Sequence, residues 1–369
     1  MKKLLIALLT LSVVGAVFAA DPAPTVAFSG YFNTGLRLDI VEGVVNADGD
    51  DAMLLKLHGR DAGKDGYRFR LNGAFTLESA GINFRLHSEG DKLKLDGATE
   101  SRTNVVALAF GYAWVDLADK MFKVKAGLID DGAWATKGDI GGDFSDQKGV
   151  QVQFTGVENL NAGFGVFAKD SFGGTSEFDK SIFVLGGAYT VPSLVGFQAN
   201  AQMDNSHDAT ESVALQKILV GANLLSVKDL TAAVEFQMEK MAGEDVALTT
   251  ISQKFAYKMG AIDMGLVAYE WMSAVEDSVL GFKVNPWVSY TSGKHVPKLS
   301  VTYLSNEKAG AANEDAVVTK LTINPSYAYN ATSKAKIVAG FAYDMITETK
   351  DFEEDNNATC VYVDFVWSF

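Results

Sequence analysis

The chain of 369 residues carries one cysteine, four histidines and six prolines. A lone Cys360 excludes an internal disulfide framework and any cysteine-rich metal centre. The histidines (His58, His87, His207, His295) lie too far apart in sequence to form a spaced ligand motif. Positive charge is also short. Lys and Arg total 32 against 46 Asp and Glu, a net charge of −14, and nucleic-acid binding needs the opposite excess to neutralise phosphates. Long apolar runs are nearly absent. The exception, Ser181 to Met203, has no charge over 23 residues. Pro192 interrupts it, Gly186, Gly187 and Gly196 weaken it, and Gln198, Asn200 and Gln202 alternate along its second half. It reads as two strands around a Val191-Pro192-Ser193 turn rather than a membrane helix.

What is abundant is glycine (35), phenylalanine (23) and alternation. From Val26 to Asp39 the even positions are mostly apolar and the odd ones small, polar or charged. The same pattern sets Phe69, Leu71 and Phe75 against Arg68, Arg70 and Asn72, and Phe122 and Val124 against Lys123 and Lys125. It recurs with Leu230, Val234 and Phe236 against Thr231, Glu235 and Gln237. A period of two with one apolar face is the mark of a strand between two different environments.

Ahead of this pattern Lys2 and Lys3 precede an apolar stretch, Leu4 to Phe18, and small residues follow. Residues 1–19 therefore read as a secretory signal peptide and 20–369 as a single barrel. Loss of Lys2 and Lys3 takes the net charge to −16 (30 basic against 46 acidic).

Connections alternate between short, as near 79–81, 118–121 and 156–160, and long and acidic, as near 41–66, 88–102 and 129–148. A transmembrane barrel explains that alternation: tight turns face the periplasm and longer loops face outside. Counting predicts an all-β, antiparallel transmembrane barrel of about 18 strands, with 16 the alternative because 103–117 and 246–258 have unclear phase. Pro286 and Pro325 fall inside predicted strands, where a bulge near the rim is the expected accommodation.

The chain ends Val361-Tyr362-Val363-Asp364-Phe365-Val366-Trp367-Ser368-Phe369, apolar at every odd position. This resembles the C-terminal signature of bacterial outer-membrane barrels, with Phe365, Trp367 and Phe369 in the place of the signal that the barrel-assembly machinery reads. The whole mature chain is similar in architecture to the porins of Gram-negative-type envelopes, and in its divergence to the porin-like proteins of spirochaetes. That resemblance implies a bacterial outer-membrane location, lipid as surroundings, a homotrimer, no cofactor and no catalysis. It also implies that the third external loop folds into the lumen. Here that loop is Ile129 to Lys148, with Asp130, Asp131, Asp139, Asp143 and Asp146. It lacks the short Pro-Glu-Phe-type signature of the best-known porin loops.

All six arginines precede residue 103. Arg37, Arg68, Arg70 and Arg85 fall on polar faces of the first three strands, and Lys123 and Lys125 follow on the fifth, so one sector of the inner wall is expected to be basic. Facing the acidic third loop, it would screen solutes by a transverse field. The trusted inner-wall charges come close to balance, so the acid excess belongs to the loops, and weak cation preference is expected.

Six aromatics expected to face inward (Tyr31, Phe167, Tyr269, Trp271, Trp287, Tyr362) read as space-filling or belt residues rather than a sugar track. Asn46 to Asp51 begins like a Ca²⁺ loop but lacks its glycine and terminal glutamate, and Gly163 to Ala168 has no following helix. Asn205-Ser206-His207-Asp208 sits on a loop tip without oxyanion donors, so enzyme chemistry is not expected. The expected function is passive diffusion of small hydrophilic solutes and ions. A barrel acting as adhesin or receptor through its acidic loops is the alternative.

Overall fold

A chain that alternates between apolar and polar for most of its length can satisfy its backbone in lipid only by pairing strands into a closed sheet. The computed structural model has that form. It describes residues 24–45, 51–58, 67–90, 107–129, 147–168, 181–204, 217–240, 247–273, 280–305, 317–349 and 358–369. Nineteen strand segments occupy them. The first nine are β1 (Thr25–Val45), β2 (Asp51–His58), β3 (Tyr67–Thr76), β4 (Ala80–Gly90), β5 (Ala107–Leu117), β6 (Phe122–Ile129), β7 (Gln147–Phe154), β8 (Leu160–Ala168) and β9 (Ser181–Val191). Next come β10 (Val195–Asp204), β11 (Lys217–Leu224), β12 (Leu230–Lys240), β13 (Ala247–Met259), β14 (Ile262–Ser273) and β15 (Gly281–Tyr290). The last are β16 (His295–Ser305), β17 (Val317–Asn330), β18 (Ala335–Thr349) and β19 (Ala358–Ser368).

Sequential segments pair antiparallel, and β19 returns to β1 from Val41↔Ala358 to Tyr31↔Ser368. Gly30 and Phe369 exchange backbone hydrogen bonds of 3.1 and 3.0 Å at the end of that seam. The one departure from simple succession involves β1. Its outer half pairs with β2 (Gly35↔His58) and its inner half with β3 (Asn33↔Arg68). β2 and β3 are thus two halves of one stave, and the barrel has 18 staves. The sequence places all of 41–66 in a connection; β2 lies within that range and belongs to the wall.

The short turns all lie at the end of the barrel where β1 begins and β19 finishes, and their backbones are tight. Ala118, Asp119, Lys120, Asn159, Ser193 and Asp229 adopt positive φ, as do Gly260 and Gly293. The two strands read from Ser181 to Met203 are β9 and β10, joined by residues 192–194.

The apolar side chains of each stave form the outer surface. Val26, Phe28, Phe32 and Leu36 of β1, Phe164 of β8, Val234 and Phe236 of β12, and Val361 and Phe365 of β19 are all exposed there. Pro286 and Pro325 are accommodated without the expected bulge. The β15–β16 register is unchanged across Pro286 (Val284↔Tyr303, Trp287↔Ser300), as is the β17–β18 register across Pro325 (Ile323↔Tyr343, Ser326↔Gly340). Each proline interrupts one ladder for two residues and keeps its partner on the other side, Leu266 or Leu299. A missing N–H removes one ladder bond, and the opposite ladder holds the strand in phase.

Candidate functional site

The register defines an inner wall stave by stave, because residues directly opposite in a ladder share a face. From β1 the inward set runs through Arg37, Asn33 and Tyr31 to Arg68, Arg70 and Asn72 of β3, then to His87, Arg85 and Asn83 of β4. Ladder pairs continue it to Phe110, Tyr112, Trp114 and Asp116 of β5, and to Lys125 and Lys123 of β6. The six predicted basic residues therefore share one sector of five consecutive staves.

Four of the cations in that sector lie over rings, and a fifth is paired with a carboxylate. Arg37 is paired with Asp39 on its own strand. Arg70 lies with Cζ 5.7 Å from the centroid of Tyr31, and its Nε is buried without a hydrogen-bond partner among the described residues. Arg85 lies 4.6 Å from the Phe110 centroid and donates from Nε to Asn72 Oδ1 at 2.8 Å. Lys125 sits 5.2 Å from the Tyr112 ring. Lys123 sits 3.9 Å from the Trp114 ring, with Asp116 Oδ1 at 3.4 Å from Nζ. Beside them a polar recess of about 340 Å³ is lined by Thr76, Asn83, Tyr112, Trp114, Lys123, Lys125 and Gln153.

The β5 aromatics face inward because of a bulge. Arg85 pairs with Phe110 but Leu86 pairs with Leu108, so Ala109 is an extra residue. Leu108 points outward and is half-exposed, whereas Phe110, two positions on, is buried on the inner face. One inserted residue reverses the facing of everything after it. This explains why the phase of 103–117 is unreadable by alternation, and why sequence reasoning misses Phe110, Tyr112 and Trp114.

The remaining wall has two further characters. Across β6 to β11, apolar and amide groups face inward and are covered. Ile129, Phe167, Val184 and Leu219 are 0–1% exposed, as is Gln151 at 1%. Phe167 lies flat on the wall, where a Cβ on Gly149 or Gly165 would strike its ring. Phe167 also packs in one apolar cluster with Ile129, Val184 and Leu219, which leaves it 1% exposed. Gln198 Nε2 donates to Glu235 Oε2 at 2.7 Å, and Asn200 and Asn223 are buried beside them.

From β17 to β19 the wall carries a compensated pair and a hydrogen-bonded tyrosine, whereas on β16 Lys298 lies 5.4 Å from the Trp287 ring. Lys320 Nζ is 2.7 Å from Asp344 Oδ2, Thr322 donates to the same carboxylate at 2.6 Å, and Tyr362 donates to Asn324 at 3.1 Å. All six aromatics expected inward do face the lumen. Tyr269 and Trp271 stack at 5.9 Å and 6°, which buries Trp271 and suits a space-filling role.

The five aspartates of the third connection lie outside the described residues. Phe365, Trp367 and Phe369 are exposed on the outer face of the seam, with the Phe369 ring stacked on Phe69 at 6.4 Å. Among the described residues no group of His, Cys, Asp and Glu is arranged to hold a metal ion.

A closed antiparallel barrel of 18 staves with an apolar exterior and a charged interior defines a class of membrane protein. Solved structures of outer-membrane porins share that fold. OprD of Pseudomonas aeruginosa matches with a TM-score of 0.52 at 14% identity, over 92% of this chain and 95% of that one. OpdL of the same organism matches with 0.56 at 10% identity, over 93% and 98%. An anion-selective porin from Comamonas acidovorans matches with 0.54 at 14% identity, over 94% and 100%. No family model and no curated protein sequence matches the chain.

Proposed function

We propose that the protein is an outer-membrane porin, passing small hydrophilic solutes and ions by diffusion through a lumen narrowed by its third external connection. The observation that carries this reading is the inner wall. Charged and amide side chains face inward on nearly every stave, an arrangement that only a water-filled interior tolerates. Its fold likeness to porins of two genera supports the same reading. The chain is read as entering the secretory route by residues 1–19 and assembling through Phe365, Trp367 and Phe369.

The narrowing rests on Ile129, Phe167, Val184 and Leu219. Apolar residues clustered on an inner wall suit contact with a further segment of the chain, and the third external connection follows Ile129 in sequence. Folded into the lumen, its aspartates would face the basic sector of Arg37, Arg68, Arg70, Arg85, Lys123 and Lys125. The excess acid in the outer connections gives weak net cation preference, and the basic sector adds a local station for anionic groups.

Planar bilayers test the reading. Purified protein is expected to insert and give stable conductance steps, and deletion of 131–145 to enlarge them. A protein that inserts without conducting, yet binds cells through its loops, overturns the porin reading in favour of an adhesin. An anion-selective reversal potential in a KCl gradient overturns the cation preference alone.

A further inference from the structure

In the basic sector rings hold most of the cations, an arrangement that recurs on the β15–β16 wall, where Lys298 lies 5.4 Å from the Trp287 ring. Among the described residues neither Arg70 nor Arg85 faces a carboxylate; each instead lies over a ring, Tyr31 or Phe110. Lys125 and Lys123 also lie over rings, Tyr112 and Trp114, and Lys123 has Asp116 beside it as well. Three of these four rings belong to β5, and the Ala109 bulge beside Arg85 turns all three inward. A ring attracts a cation through its quadrupole and fixes its position, but carries no countercharge. A carboxylate fixes the position too, yet cancels the field.

We propose that Phe110, Tyr112 and Trp114, with Tyr31, are positioning residues of the pore: they hold the cations of the basic sector in place, and at Arg70 and Arg85 they leave the charge available to anionic groups in transit. This rests on the reading that the basic sector lines the conducting path. Arg85 shows the logic most fully. Phe110 seats the guanidinium, Asn72 binds its Nε, and the remaining N–H donors are left to bind an oxyanion. The bulge is the device that makes this possible, since without it Phe110 would share the outward face of Leu108.

The test uses the full-length channel in planar bilayers, with inorganic phosphate as probe and the half-blocking concentration of the KCl current as readout. Phe110→Leu keeps the apolar bulk and every charge but removes the quadrupole. It is expected to raise the half-blocking concentration about two- to fivefold. Phe110→Tyr restores wild-type block, which a merely structural role for Phe110 would not distinguish from Leu. Trp114→Leu, which acts through Lys123, is the second variant should F110L fail to assemble, and is expected to act in the same direction.

Arg85→Gln separates ring seating from the pore reading. If R85Q weakens block and F110L does not, ring seating is overturned and the pore reading stands. If wild-type channels ignore phosphate, or R85Q leaves block unchanged, the basic sector is not a station at all, and the inference falls with it.

Discussion

Arg85 and Lys320 face one lumen, but their surroundings make them different objects. Lys320 is 2.7 Å from Asp344, which also accepts from Thr322, so the group as a whole is neutral. Arg85 rests on Phe110 and Asn72, neither of which carries charge. Counting residues assigns each cation one unit of positive potential. Their partners leave nearly all of that potential to Arg85 and almost none to Lys320. Charge on a pore wall is therefore a property of a neighbourhood, and the β3–β6 sector is basic in a sense that β17–β18 is not.

The strongest way to break the comparison is Arg85→Glu. It swings the exposed sector by two charges where no counter-ion relaxes the change. The chloride-to-potassium permeability ratio, from reversal potentials in a KCl gradient, is expected to fall about fivefold, since two charges at about 0.5 kcal/mol each amount to about 1 kcal/mol. If R85E matches wild type, the sector does not lie along the ion path.

Next in size is Asp344→Asn, which should convert the compensated sector into the other kind. It frees Lys320 while preserving the shape of the pair. One uncompensated charge felt about 8 Å away through water amounts to about 0.5 kcal/mol, so the same ratio is expected to rise roughly twofold. The fold should tolerate it, since the Lys320 side chain is 35% exposed and such pairs contribute about 1 kcal/mol or less. Repeating both measurements at about 1 M salt sharpens the contrast, because screening over roughly 3 Å should erase the D344N effect and shrink that of R85E.

How much of this is legible in the sequence depends on whether alternation survives. On β1 as far as Val41 and along β3, β4 and β6 the phase runs unbroken, so Arg37, Arg68, Arg70, Arg85, Lys123 and Lys125 are assigned to one sector from sequence alone. On β5 one extra residue inverts the phase and hides the aromatics that hold those cations. The interrupted second stave hides β2 for a related reason, since eight residues (59–66) separate its halves. On β13, Leu248 faces inward and Gln253 outward, so polarity carries little information about facing there. The prolines mislead in the other direction: their chemistry signals a bulge, but the neighbouring ladder keeps register without one. Which cations are neutralised is not readable at all, because Lys320 and Asp344 meet across a ladder whose register no local pattern encodes.

The smallest expected effect is the most discriminating. In the double variant Lys320→Gln with Asp344→Asn, both charges of the compensated pair disappear together, and both replacements are close to isosteric. The new asparagine keeps an oxygen for the Thr322 hydroxyl, and the new glutamine can still reach it, so local packing should hold. If the pair is neutral as seen from the lumen, the permeability ratio stays at the wild-type value, although two charges have left the wall. Arg85→Gln removes only one charge and should lower the ratio roughly twofold by the same screened-charge arithmetic. A double variant that shifts the ratio as far as R85Q does would mean that Lys320 and Asp344 act as separate poles, each felt by passing ions. The distinction between cations held by rings and cations held by carboxylates would then carry no consequence for permeation.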